Sequence, residues 1–133
     1  MTEFVVDASA AVKGLIDNGT LGRVIRQRMT TATCHAPHLL DAEVGNVLRR
    51  AERVGKIDED EARTALAALP RVIDERYPHT GRFAELAWEI RHTISFYDGL
   101  YVALATVLEL PLLTSDVRLS KAPGLSCEVE LVA

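Results

Sequence analysis

The chain has 133 residues, of which 48% are hydrophobic and 26% charged, proportions of a globular domain that leave too much apolar surface for intrinsic disorder. Fifteen Lys/Arg against nineteen Asp/Glu give a net charge of −4, which argues against a protein that simply coats nucleic acid. The length corresponds to one domain over residues 1–133, and the two cysteines, Cys34 and Cys127, lie in no CxxC or Cys/His cluster, so neither a disulfide scaffold nor a structural zinc site is expected.

In chain order, Phe4, Val5 and Val6 form a short apolar run ending at Asp7, and Ser9 offers an N-cap for a helix with apolar positions Val12, Leu15 and Ile16. Asn18 and Gly19 punctuate, and Leu21, Val24, Ile25 and Met29 supply a second amphipathic stripe. A strand over Thr33 to Ala36 is expected to end at Pro37. From Leu39 to Val54, apolar Leu40, Val44, Val47, Leu48 and Ala51 recur at helical spacing, with Gly55 as the stop. Asp58 and Glu61 form a capping-box pattern for a helix that Pro70 is expected to close. Phe83 to Ile90 and Tyr97 to Leu108 predict two more helices, and Leu112 to Thr114 and Val129 to Val132 two late strands. Strands alternating with pairs of helices indicate an α/β domain with a mainly parallel sheet.

The opening MTEFVVDASA lacks the features of a secretion signal, and no apolar run approaches the roughly 18 residues of a membrane span, so no membrane association and a cytoplasmic location are expected. Basic residues concentrate early. Arg23, Arg26 and Arg28, then Arg49, Arg50, Arg53 and Lys56, make two helical patches that either meet phosphates or are ordinary solvated faces.

Four acids stand where a solvated surface charge would not be placed. Asp7 ends the first strand and Asp116 follows Leu112 to Thr114, so both should reach the carboxyl edge of the sheet, where α/β proteins bind ligands. Glu43 lies on the core-facing stripe of its helix, and Asp98 shares a stripe with Tyr101, Val102 and Ala105. Crowded or buried carboxylates need positive charge, and no Lys or Arg adjoins Asp7 or Asp98 in sequence. A hard divalent cation, Mg²⁺ or Mn²⁺, is the economical answer, since it takes one or two carboxylates and keeps waters. Each acid also has a structural role open to it: Asp7 and Asp116 as helix caps, Glu43 as a salt-bridge partner, and Asp98 in a box with Ser95.

Four segments together resemble the PIN-domain family, in particular the short VapC-type ribonuclease toxins of type II toxin–antitoxin pairs. FVVDASA resembles the opening motif, with Asp7 at its acid. PHLLDAEVGNVLRR is similar to the second, with Glu43 at the acid and Asn46 as its frequent companion. SFYDGLYVALA places Asp98 at the third acid, and LLTSDVRLSKA places Asp116 at the fourth, with Thr114 as the family's hydroxyl residue. Gly99 departs from the pattern, since many members carry Ala there. The resemblance implies a three-layer PIN-like fold with a central parallel sheet flanked by helices, Mg²⁺-dependent endoribonuclease activity, a homodimer, and hetero-oligomers with a cognate antitoxin.

In that chemistry a metal-activated water attacks the RNA phosphorus, with Asp7 and Asp98 the first choices as direct ligands and Glu43 and Asp116 completing the shell or acting through water. A negative pocket needs nearby cations to admit a phosphate strand, and Arg49, Arg50, Arg53, Arg118 and Lys121 are the candidates. Trp88, on an Ala/Leu/Ile-rich helix, is read as core or interface packing rather than as a base platform. Two other mechanisms are weighed against the metal nuclease. One is a metal-free pair of imidazoles, with His35 and His38 as candidates. The other is a non-catalytic Mg²⁺-binding regulatory or interaction module with a PIN-like or receiver-like fold.

Overall fold

The computed structural model describes residues 2–133. Five short strands form one parallel sheet: β1 (Glu3–Val6), β2 (Thr33–Pro37), β3 (Glu75–Tyr77), β4 (Leu112–Thr114) and β5 (Val129–Leu131). Their order is β3-β2-β1-β4-β5. Between them run α1 (Ala8–Ile16), α2 (Thr20–Thr31), α3 (Leu39–Arg53), α4 (Glu59–Val72), α5 (Arg82–Glu89), α6 (Phe96–Leu108) and α7 (Val117–Ser120). Parallel crossovers are right-handed, so the chain's leftward passage from β1 to β3 lays α1–α4 on one face, and its return through β4 to β5 lays α5–α7 on the other. Packing agrees: α1 meets α2, α3 and α4, whereas α5 packs on α6 and α6 covers β1 and β2. The expected three-layer α/β architecture is therefore present.

The central strands are short continuous apolar runs because helices bury both of their faces. Phe4, Val5, Val6, Leu112 and Leu113 are all essentially inaccessible to solvent. α6 is buried from Gly99 to Ala105, which explains a segment as apolar as SFYDGLYVALA. Its Gly99 has a steric reason: a Cβ there would approach the Ala87 Cβ to 3.1 Å, where α5 and α6 press together. Gly22 has another, since a Cβ would fall 2.0 Å from the Asp17 carbonyl oxygen in the tight α1–α2 connection.

Local details differ from the sequence expectations. Pro70 does not close α4, which continues to Val72, because buried Leu69 and Ile73 hold the last turn against the core while Pro70 faces solvent. Asp7 itself, rather than Ser9, is the N-cap of α1. The edge strand β3 and the single turn α7 were not anticipated. β3 is anchored by side chains as much as by its ladder: Asp74 Oδ2 accepts from the Cys34 amide at 2.8 Å, and Arg76 forks onto Asp41 at 2.7 and 2.9 Å.

Candidate active site

The strand order reverses between β1 and β4, the crevice where ligands settle in open parallel sheets. Asp7 leaves β1 at that point. Its amide donates to the Leu113 carbonyl at 3.1 Å, and its side chain then caps α1. Oδ1 accepts from Ser9 Oγ at 2.7 Å and from the Ala10 amide at 3.0 Å, while Oδ2 accepts from Thr114 Oγ1 at the end of β4. The residue is only 4% exposed. Burial pushes its carboxyl pKa up, against the pull of these donors, and the nearby Asp98 charge adds to the rise.

Glu43 comes from the other helical layer. Proline ends β2, α3 starts at once, and Glu43 lies in the second turn, where Oε1 accepts from the Tyr101 hydroxyl at 2.6 Å. Tyr101 is 1% exposed, and burial beside Glu43 raises its own pKa so far that the phenol stays a donor. The Glu43 carboxyl is pushed up by burial and by the charges of Asp98 and Asp7. Asp98 sits in the first turn of α6, whose N-cap Ser95 accepts from the Asp98 amide at 3.1 Å. Burial and then Asp116 raise its pKa, while Ser95 and Arg118 oppose the shift. Asp116 caps α7 by accepting from the Arg118 amide at 2.9 Å. Its amide in turn donates to Thr114 Oγ1 at 3.0 Å.

The four acids, on four separate segments, thus lie within electrostatic reach of one another, with Asp98 as the shared neighbour of the other three. The positive group beside them is the Arg118 side chain, 3.7 Å from Asp116 and 88% exposed, where water screens it strongly. Among the described residues, no three His, Cys, Asp or Glu side chains converge as a preformed metal-ligand group. A cleft of about 400 Å³ opens from Asp98 and Asp116 between the 91–95 turn and α7. A larger cavity, about 480 Å³, lies among α1, α2 and α4, and none of the four acids borders it.

The remaining sequence candidates divide. Thr114 joins Asp7 directly. Asn46 does not reach the acids: it is exposed, and its Oδ1 accepts from Arg49 Nε at 3.1 Å. Arg49 borders the α3–α4 groove with Glu52 and Glu59. Arg50, seven residues after Glu43, falls on the same helical stripe, with Arg53 further round; both are exposed. Lys121 is exposed just past α7. The earlier basic patch is structural in part, since Arg28 pairs with Glu130 and covers the Phe4 ring, and Arg26 donates to the Gly14 carbonyl at 2.7 Å. Trp88 is not in the core but 59% exposed.

His35 is buried on β2 between the Tyr77 hydroxyl at 2.8 Å and Glu3 at 2.7 Å, an arrangement that occupies both ring nitrogens and favours no imidazole mechanism. Two contributors escaped the sequence reading, Ser9 and Tyr101. Tyr101 carried a usable signal, because a tyrosine three residues after Asp98 on an apolar helix needs a partner for its hydroxyl.

A PIN domain model matches residues 4–125. Ribonuclease VapC1 of Mycobacterium tuberculosis is 54% identical over 132 residues, 99% of each chain. Among solved structures, VapBC2 of Rickettsia felis, bound to a DNA fragment from its promoter, superposes with a TM-score of 0.69 at 12% identity, covering 99% of this chain and 100% of that one. VapC20 of Mycobacterium tuberculosis, a sarcin-ricin loop cleaving toxin, does so with a TM-score of 0.68 at 18% identity, covering 94% and 98%. The two structural matches speak for the fold, and the family model and the VapC1 match for descent: this chain belongs to the PIN-domain family, in its VapC branch.

Proposed function

We propose that this protein is a divalent-metal-dependent endoribonuclease that acts as the toxin of a toxin–antitoxin pair. The observation that carries the proposal is the gathering of Asp7, Glu43, Asp98 and Asp116 at the sheet's reversal point, with burial raising the carboxyl pKa values of the first three and with scant positive charge nearby. The full-length likeness to Ribonuclease VapC1 supports the reaction class.

The residues present fit a hard cation. Their donors are all carboxylate oxygens, their negative charge is under-compensated, and Mg²⁺ binds through one or two carboxylates while keeping water, so three converging ligands are not required. Asp7 and Asp98 are the direct ligands in this proposal, with Glu43 and Asp116 completing the shell or acting through water. Bound there, Mg²⁺ or Mn²⁺ supplies a lowered water pKa and polarisation of the phosphate.

The chain's own residues do the rest. Ser9, Thr114 and the Ala10 amide hold the Asp7 carboxylate in one orientation, and Tyr101 fixes Glu43, so both are preorganised. Glu43, made more basic by burial and then by the charges of Asp98 and Asp7, and Asp116, at the rim of the cleft, are positioned to orient water and accept its proton. Arg50, Arg118 and Lys121 offset the phosphate charge of an RNA strand entering an acidic crevice. Arg49 and Arg53 extend the same basic face of α3, and Asn46 acts through Arg49.

The antitoxin partner is inferred from the VapBC assembly of the fold neighbour, and a homodimer and toxin–antitoxin hetero-oligomers belong to the same proposal, as does a cytoplasmic setting. No helix among the described residues is long and apolar enough to cross a membrane. Incubation of the purified protein with total RNA, with Mg²⁺ and with EDTA, tests the function. Discrete cuts that require Mg²⁺ are expected. Cleavage undiminished by EDTA would remove the metal from the mechanism, and Mg²⁺ binding without cleavage of any RNA would favour a regulatory module.

A further inference from the structure

Acids that repel phosphate leave open how the strand is held beside them. The cleft leading away from Asp98 and Asp116 has Arg91, His92, Thr93 and Ser95 on one wall and Arg118 on the other. Its volume, about 400 Å³, falls within the roughly 300–1,000 Å³ of pockets that hold small ligands. Arg91 is held in place rather than swinging free: Nη1 donates to the Trp88 carbonyl at 2.8 Å, and the guanidinium lies 4.4 Å from the centre of the Trp88 ring. A guanidinium has five N–H donors, so this anchoring leaves a fork of donors for a second acceptor. It also explains a large aromatic left in solvent, which packs the cation instead of the core.

Given the ribonuclease reading above, we infer that Arg91 binds the RNA phosphate next to the scissile one, with Arg118 facing it across the cleft and Trp88 as the positioning residue that fixes the guanidinium. The close packing of α5 on α6 at Gly99 and Ala87 ties the Arg91 turn to Asp98, so the spacing between the subsite and the acids is set by the fold. A cation already held by a carbonyl and a ring loses less side-chain entropy when it binds, which favours Arg91 over Arg50 and Arg53 of α3 as the principal phosphate contact.

The test uses the full chain and a short single-stranded RNA spanning the strongest cut that the protein makes in total RNA. A parallel set of the same RNA carries one neutral methylphosphonate at each non-scissile position in turn. In the wild type, neutralising one flanking phosphate should raise KM about tenfold, the scale of a hydrogen bond to a charged group, with kcat little changed. Arg91→Ala should raise KM for the unmodified RNA by a similar factor and make that one replacement silent, while Arg91→Lys should fall between.

Wild-type KM in Arg91→Ala, or a penalty that adds equally to every replacement, would overturn the inference. Because Arg91→Ala removes a side-chain bond to the Trp88 carbonyl and the packing on its ring, Arg91→Gln is the second variant: a raised KM supports the subsite, and wild-type KM refutes it. A wild type that cuts no RNA in Mg²⁺ would instead overturn the ribonuclease reading, and this subsite with it; an active wild type with an indifferent Arg91 overturns the subsite alone.

Discussion

Two groups of acids in this molecule have opposite surroundings. Asp41 and Glu130 each sit against an arginine: Arg76 forks onto Asp41, and Arg28 grips Glu130 and draws its carboxyl pKa below the ordinary value. Asp7, Glu43 and Asp98 lie deeper and have mainly hydroxyls and amides for company, with burial and one another's charge pushing their pKa values up. Arginines thus grip acids near the periphery, where water already screens them, whereas among the described residues no ion pair reaches Asp7, Glu43 or Asp98, and Arg118 meets only Asp116 at the rim. The lesson is that a local excess of buried negative charge, rather than the number of acids, marks the site that calls for a cation.

Substitutions can break this contrast. Asp98→Asn and Asp7→Asn remove charge at nearly constant shape, and each should lower RNA cleavage by at least about a hundredfold, beyond the effect typical of losing an outer-shell partner. Neither should lower the melting temperature of the metal-free protein. For Asp7 the sign follows from linkage: the folded-state pKa lies above the unfolded one, so the native state binds more protons between them. Stability therefore falls as pH rises from about 4 through the raised pKa, and Asp7→Asn should flatten that decline and melt no lower than wild type at neutral pH. Melting curves across pH and cleavage assays check both halves; a destabilised Asp7→Asn would show that the carboxylate serves the fold instead.

Tyr101→Phe probes the next layer. Loss of the hydroxyl that holds Glu43 should cut cleavage about tenfold and cost about 1 kcal/mol of stability, read from single-turnover rates and denaturant unfolding. Unaltered cleavage would make the bond purely structural. The smallest effect is expected on the paired side: Asp41→Asn should leave cleavage within about twofold and lower stability by about 0.5–1 kcal/mol, because that pair is partly exposed. A large loss of cleavage there would erase the distinction between the two groups.

Most of the frame was legible in the sequence because its signals are local. Buried strands read as apolar runs, Asp7 follows one directly and Asp116 another after Ser115, and the Asp58–Glu61 capping box formed as expected. What escaped depends on partners distant in the chain. β3 is three residues long and owes its place to Asp74, Arg76 and Tyr77 contacts across the fold. Pro70 stays helical because of tertiary burial, which overrides its local preference. The service of Ser9 to Asp7, of Tyr101 to Glu43, and of Asn46 to Arg49 rather than to the acids could be settled only by three-dimensional placement. Gly99, a departure from the family pattern in sequence, stands where a Cβ would press on Ala87 at 3.1 Å.

The central claim is that the unneutralised crevice receives a divalent ion, and thermal unfolding against Mg²⁺ concentration tests it without relying on activity. The wild-type midpoint should climb steadily as Mg²⁺ is added, return to its starting value with EDTA, and stay flat in Asp98→Asn, because a ligand that binds the native state alone stabilises it by mass action. A wild-type midpoint indifferent to Mg²⁺, or one that climbs equally in Asp98→Asn, would contradict the account.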